Sequence, residues 1–479
     1  MSPIDPQWCR SIGDEHRIDT RVEVDLSAYG IGVLKSIAAA LRILAVDDPV
    51  AADDARHAIG WIIGDADVDD PAAVTLAGVE RFVWYDLAVK WMMPDEDKPS
   101  VIAALAHLFD LVDRPLCAEV CRSPVTAEVQ TAWAASEPAG RKAFDRAMKT
   151  SLVEPVDTDR FEWGSMFGLN EALARDAVQV ALEDALVTGR LVRGRQGWRA
   201  VQKAIVGEVL DRDHPTEPAQ SWLTSIITER VSTWVGDTRR SPTLTAMRSR
   251  VANQVLTPVV LPVDVADVLE PLLWFCDELC HGGIDLTQKG FLGQKFVQRT
   301  ATERGWWTYS GTPRTETDVW QLHELHTLAK AARLAMREGA RLTATVAGIE
   351  SRSKPQQTWE RVVEHLAGRN GFDHAAFEAC MLIVIAANGP VSHNAMVTNA
   401  ARALAEYGWK TGPKGQPTDP VGERQVSYSF AHGVRRLSLF DLTIENDDWK
   451  NRQIQLTPTG RALVLAWLRN LATGPRHGP

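Results

Sequence analysis

The sequence predicts a mostly α protein, with an acidic helical N-terminal module followed by tandem winged-helix-like modules. Three observations carry this expectation. Apolar residues recur at helical spacing from Leu26 onward; negative charge is concentrated at the N-terminal end; and a strand-to-helix corner pattern recurs downstream. With 479 residues, 45% hydrophobic and 24% charged, the chain has the size and composition of several ordinary domains, not of a disordered or disulfide-framed protein.

Sixty-two acidic against 52 basic residues give a net charge of -10. Residues 1–100 hold 19 Asp/Glu and 9 Lys/Arg, a balance of -10, so the remainder sums to zero; from Pro390 onward 11 basic and 7 acidic residues leave +4. A site for a polyanion is therefore sought downstream. Six Cys suit reduced thiols rather than a disulfide framework. The first residues carry Asp and Glu where a signal peptide needs an apolar core, and the longest strongly apolar run, 379–387, is about half of what crosses a bilayer. A cytoplasmic protein without a membrane partner or cofactor is expected. Arg outnumbers Lys 39 to 13, a bias typical of GC-rich genomes, and a bacterial source is expected.

Helical periodicity predicts helices over 27–46, 53–63, 72–91 and 100–112 in an acidic module spanning 1–150, with Pro71 and Pro99 at helix starts and Pro115 just past a helix end. Residues 152–162, with Pro155 and four acids, read as a linker. A helical module over 163–256 contains a helix at 170–186 and then Thr188 to Arg195, a candidate wing-like hairpin. Two further modules span 264–350 and 357–479. In the first, helices at 265–280, 291–303 and 316–332 alternate with a strand at 284–287 and a wing at 338–345. In the second, helices at 373–387, 392–407 and 425–438 precede two wing strands, 440–444 and 453–457, and a closing helix at 460–468. The corner pattern is LT-x-x-G, where Thr caps the following helix: Leu286 to Gly290, Leu456 to Gly460, and a looser version from Leu342 to Gly348.

The sharpest functional expectation is contact with double-stranded DNA by the last module. In a helical 425–438, Phe430, Val434 and Leu437 form one stripe, leaving Arg424, His432, Arg435 and Arg436 off it; Lys450 and Arg452 lie in the wing tip, beside Asp447 and Asp448. A basic outward face on a third helix is what a groove or phosphate contact requires. Against it, Gly433 weakens the helix, and Val426, Tyr428 and Phe430 alternate as a strand would. The alternative is a protein-interaction scaffold whose winged helices mediate homodimerisation or partner binding. An enzyme of unrecognised type stands third, because no nucleotide-binding, nucleophile-elbow or zinc-protease motif occurs.

Three other constellations invite chemistry. Cys276, Cys280, His323 and His326 pair at helical spacing and form an alternative zinc set, against a bland reading of buried thiols and surface histidines. Arg190, Arg193, Arg195, Arg199 and Lys203 form a basic run around Trp198, read mainly as a solvated face. Asp65, Asp67, Asp69 and Asp70 lack the closing Glu of a calcium loop, since position 76 is Leu.

Overall fold

The computed structural model describes residues 36–64, 69–151, 153–238, 240–367, 371–387, 389–411, 419–446 and 451–476. It is mostly helical, with a few short strands, and divides into two compact units. One comprises the described residues up to Pro155 with Gln179–Gln202; the other comprises Val156–Val178 and the described residues from Lys203 onward. Residues 163–256, expected as one module, are thus split between units, and the two last modules belong to a single unit.

In the first unit, α1 (Ile37–Asp47) is capped by Ser36 and α2 (Pro49–Ile63) by Asp48, whose side-chain oxygens accept amide hydrogen bonds from the first turn. The part of the expected first helix before residue 36 lies outside the described residues, as do Asp65 and Asp67. Asp69 and Asp70 are turn and cap residues: Asp69 accepts from Ala38 N and Ser36 Oγ, which holds its carboxyl below the usual range, and Asp70 accepts from Ala72 N. Next, α3 (Leu76–Arg81), a π turn (Phe82–Asp86) and α4 (Leu87–Val89) run on continuously. The widened turn leaves carbonyls free, and those of Val83 and Trp84 accept from the Gln130 amide and the Trp133 indole. Helices α5 (Lys98–Leu111), α6 (Pro115–Arg122), α7 (Pro124–Ala135) and α8 (Glu137–Ser151) complete the succession. Pro115 lies just past the end of α5, as expected, and also begins α6, the placement that its missing N–H favours.

Two helices cross the division, α9 (Leu169–Val187) and α10 (Trp198–Leu210). Between them the expected hairpin is absent: Thr188 to Arg195 forms turns and no strand, with Gly189 and Gly194 at positive φ reversing the chain. The expected linker, 152–162, contains the division between Pro155 and Val156, and within it Val153 and Phe161 are buried.

The second unit continues with α11 (Trp222–Gly236), α12 (Pro242–Leu256) and α13 (Val265–Val268), and then the same order of elements occurs twice. The first occurrence is α14 (Glu270–Cys280), β1 (Ile284–Asp285), α15 (Gln294–Glu303), α16 (Trp320–Ala331), β2 (Ala335–Glu338), β3 (Arg341–Ala344) and α17 (Val346–Ile349), followed by α18 (Pro355–Glu364). The second is α19 (Gly371–Ala386), β4 (Val391–Ser392), α20 (His393–Tyr407), a two-stranded ribbon β5 (Lys410–Thr411) and β6 (Asp419–Pro420), α21 (Glu423–Leu439), β7 (Thr443–Glu445), β8 (Gln453–Leu456) and α22 (Pro458–Thr473). Each repeat builds one antiparallel three-stranded sheet in which the last strand lies between the other two, in the orders β1-β3-β2 and β4-β8-β7. One apolar core running from Val231 to Ala472 joins both repeats to α11 and α12, so 264–350 and 357–479 do not carry separate cores.

The repetition extends to single atoms. Each third helix is followed by a residue in the left-handed region, Arg333 (φ 55°) and Asp441 (φ 53°). The next residue, Leu334 or Leu442, accepts the amide of Thr345 or Thr457 through its carbonyl. Each Thr then caps a helix by accepting from the amide three residues on, Gly348 or Gly460. A Cβ on either glycine would lie 2.1 or 2.2 Å from that same leucine carbonyl, so Thr-x-x-Gly encodes a cap and a close backbone approach together. The sequence Leu286 to Gly290 does something else: Gly290 N donates to Thr287 O in a tight turn, and no helix starts there.

Candidate nucleic-acid interface

Helices α20 and α21 pack together on α19, and the Thr398 hydroxyl donates to the Glu423 carboxylate at 2.7 Å, fastening the start of α21 to the middle of α20. Val426, Phe430, Val434 and Leu437 bury one side of α21, with the Phe430 ring 6.1 Å from that of Phe377. Val426, Tyr428 and Phe430 therefore belong to a helix, despite their alternation.

A second side of α21 is also covered. Arg436 is only 5% exposed. Its Nε lies 3.3 Å from the buried Glu324 carboxylate on α16, and its Nη1 donates to the carbonyls of His365, Leu366 and Ala367 just past the end of α18. Cations at a helix C-terminus are favoured there. His432, half-buried, has its Nδ1 3.8 Å from the same Glu324. The expectation of an outward Arg436 is corrected for a geometric reason: successive residues point about 100° apart, and α16 takes the flank beside the apolar stripe.

What remains exposed on α21 is Glu423, Arg424, Gln425, Tyr428 and Arg435. Arg424, Tyr428 and Arg435 fall within about 40° of one another around the helix axis. Arg402, exposed on α20 and bonded to Asn399, lies one turn beyond Thr398. Arg452 is exposed but paired with Glu445 across the hairpin at 2.5 Å. Lys450, Asp447 and Asp448 lie outside the described residues. Tyr428 is not a site residue on the sequence reading; its spacing, four residues after Arg424 and seven before Arg435, is the signal that could have found it.

The equivalent helix of the first repeat has a different character. Glu316 is buried and accepts from His323 Nδ1 (3.1 Å), His326 Nδ1 (3.0 Å) and Leu292 N (2.6 Å). Burial alone would raise its carboxyl, but these hydrogen bonds prevail and hold it at about 2. His323 and His326 thus share a carboxylate. Cys276 is fully buried and hydrogen-bonded to Ser351, with burial pushing its thiol up to about 12, and Cys280 is exposed. Among the described residues no group of three or more His, Cys, Asp or Glu could hold a metal ion, so the alternative zinc set does not assemble.

The basic run around Trp198 is largely engaged. Arg193 pairs with Glu80, Lys203 with Asp159 at 2.5 Å, and the Arg199 guanidinium lies 4.0 Å from the Trp198 ring centroid. Among the described residues no helix is long and apolar enough to cross a membrane. No known protein family, curated protein or solved structure matches the chain.

Proposed function

We propose that the two repeats are winged helices and that this is a non-enzymatic, cytoplasmic DNA-binding or regulatory protein, which contacts duplex DNA through the second repeat. The observation that carries the reading is the outward stripe of α21, Arg424, Tyr428 and Arg435, on a helix whose apolar side packs on α19 and α20 and whose flank at Arg436 is covered by α16. The element order of each repeat and its strand order support it, since a third helix and a hairpin offered side by side suit a major groove and a flanking phosphate. Arg424 and Arg435 would supply phosphate or base contacts, with Arg452 bracing the backbone from the hairpin.

A second reading, the protein-interaction scaffold or homodimer, is favoured by the first repeat. Its third helix, α16, is spent on packing: Glu324 is committed to Arg436, and His326 to Glu316. A gel-shift titration on random duplex separates the two readings. DNA binding that weakens when Arg424 and Arg435 are both replaced by Ala supports the first; no shift at low salt leaves the scaffold.

A further inference from the structure

A stretch of the second unit outside both repeats has no partner strand. Residues 257–263, Thr-Pro-Val-Val-Leu-Pro-Val, join α12 to α13. From Pro258 to Pro262 they form neither helix, turn nor bend, and the ring of each proline holds the residue before it extended. Val260 is 86% exposed, and Leu261 and Val263 are exposed with it. A run of exposed apolar residues, unlike one met singly, marks a contact site. Among the described residues none makes a backbone hydrogen bond with Val259, Val260 or Leu261. Buried backbone N–H groups are almost always paired, so these unpaired ones face water.

The spacing of the prolines decides what can pair here. In an extended chain the N–H and C=O groups of successive residues leave on opposite edges. Pro258 and Pro262 are four residues apart, so both missing N–H groups belong to one edge, which is closed to a partner strand. The other edge carries the N–H and C=O of Val259 and Leu261 and is complete. Laid antiparallel to itself with Val260 on the two-fold axis, the segment places Val259 opposite Leu261 of the second copy, a pair that exchanges two hydrogen bonds, and the symmetric pair adds two more. Val260 then faces its own counterpart and Pro258 faces Pro262 of the second copy, at positions that need no N–H. No charged residue lies between 257 and 263, so no like charges meet. We infer that residues 258–262 are a homodimerisation strand, which joins two copies of this chain in an antiparallel ribbon through the edge of Val259 and Leu261. The closed proline edge limits the assembly to two copies. The contact uses neither repeat and does not depend on whether the second repeat binds DNA.

The ribbon buries less than a standard interface of about 1,600 Å², so a weak dimer is expected, with a dissociation constant of about 10–100 µM. Sedimentation velocity of the full chain, at concentrations spanning that constant, should show a reversible monomer–dimer equilibrium and no larger species. Leu261→Pro removes an N–H from the pairing edge in both copies and should weaken the dimer at least about tenfold. Val260→Pro removes one from the closed edge and should leave the constant within about threefold, since that N–H pairs with nothing. Leu261→Ala keeps the N–H and should weaken the dimer less than Leu261→Pro; Val259→Pro replaces Leu261→Pro should that variant fail to fold. Geometry supplies a second readout. Facing residues without mutual hydrogen bonds bring their Cα atoms to about 4.5 Å, within the about 4.4–6.8 Å of a disulfide, so Val260→Cys should cross-link to its counterpart on oxidation with diamide. Val263→Cys is as exposed but lies about 20 Å from its counterpart in this register and should not. Mass spectrometry of the linked peptides distinguishes these bonds from those of native cysteines. No concentration-dependent dimer, equal effects of Val260→Pro and Leu261→Pro, or cross-linking as efficient at 263 as at 260 would each overturn the inference.

Discussion

Adjacent arginines on α21 should respond to substitution in opposite ways. Removing the Arg436 side chain strips the cationic partner from Glu324, which is 2% exposed, and leaves the carbonyls of His365, Leu366 and Ala367 without their donor. Breaking a buried pair from one side costs about 3–5 kcal/mol, because the remaining charge stays desolvated. Arg436→Ala is therefore expected to lower the unfolding free energy by about that amount, with little direct effect on DNA affinity under conditions where the protein remains folded. Arg435→Ala, on the exposed stripe, should stay within about 0.5 kcal/mol of the wild type. Arg436→Met combined with Glu324→Leu replaces the pair by apolar groups and should recover most of the stability, since the second charge is no longer stranded. Urea denaturation followed by tryptophan fluorescence supplies the comparison, provided the slope of the transition is unchanged. The assignment of Arg436 to packing would be refuted if Arg436→Ala cost less than about 1 kcal/mol and weakened DNA binding as much as Arg435→Ala does.

Three further outcomes follow from the packing. Gly433→Ala should destabilise the protein by about 1–2 kcal/mol in thermal or urea unfolding, although Ala is the better helix former: a Cβ there would lie 2.3 Å from Cδ2 of the buried Phe377 ring, and overpacking outweighs propensity. Burial raises the Glu80 carboxyl from 4.5 to about 7 against the opposing pull of Arg193, so its contribution to stability is full below about pH 4.5 and is lost as pH rises through about 7, a change of about 3 kcal/mol; in Glu80→Gln, unfolding titrations at about pH 5 and pH 8 should differ by that much less than in the wild type. A fragment beginning at Pro355 should show no cooperative unfolding transition by calorimetry, because the part of the common core contributed by residues before it and the partners of Arg436 and Glu378, namely Glu324 and Arg248, would be missing.

Much of the architecture was legible because it is locally encoded. The helices and short strands of the second repeat follow from periodicity, and the helix starting after Thr457 follows from the cap it supplies. What was not legible depends on distant partners. Gly348 and Gly460 read as punctuation in the sequence; their role requires the carbonyls of Leu334 and Leu442, which arrive from the preceding helix end. Arg435 and Arg436 are indistinguishable until α16 covers one of them. Glycines that reverse the chain at 189 and 194 looked like hairpin turns, yet the segment between them pairs with no strand. The Glu80–Arg193 ion pair was invisible for a similar reason, its members being 113 residues apart in sequence.

The central claim is that the outward stripe of α21 touches phosphate or bases, and the salt dependence of DNA binding tests it most directly. Fluorescence anisotropy of a labelled duplex, titrated with full-length protein across a range of salt concentrations, yields the slope of log K against log salt. The account predicts salt-sensitive binding, with a slope that becomes shallower by about one for each phosphate interaction removed when Arg424 and Arg435 are replaced by Ala, and unfolding free energies that remain near those of the wild type. Salt-insensitive binding, or a slope and affinity unchanged in the doubly substituted protein, would contradict it.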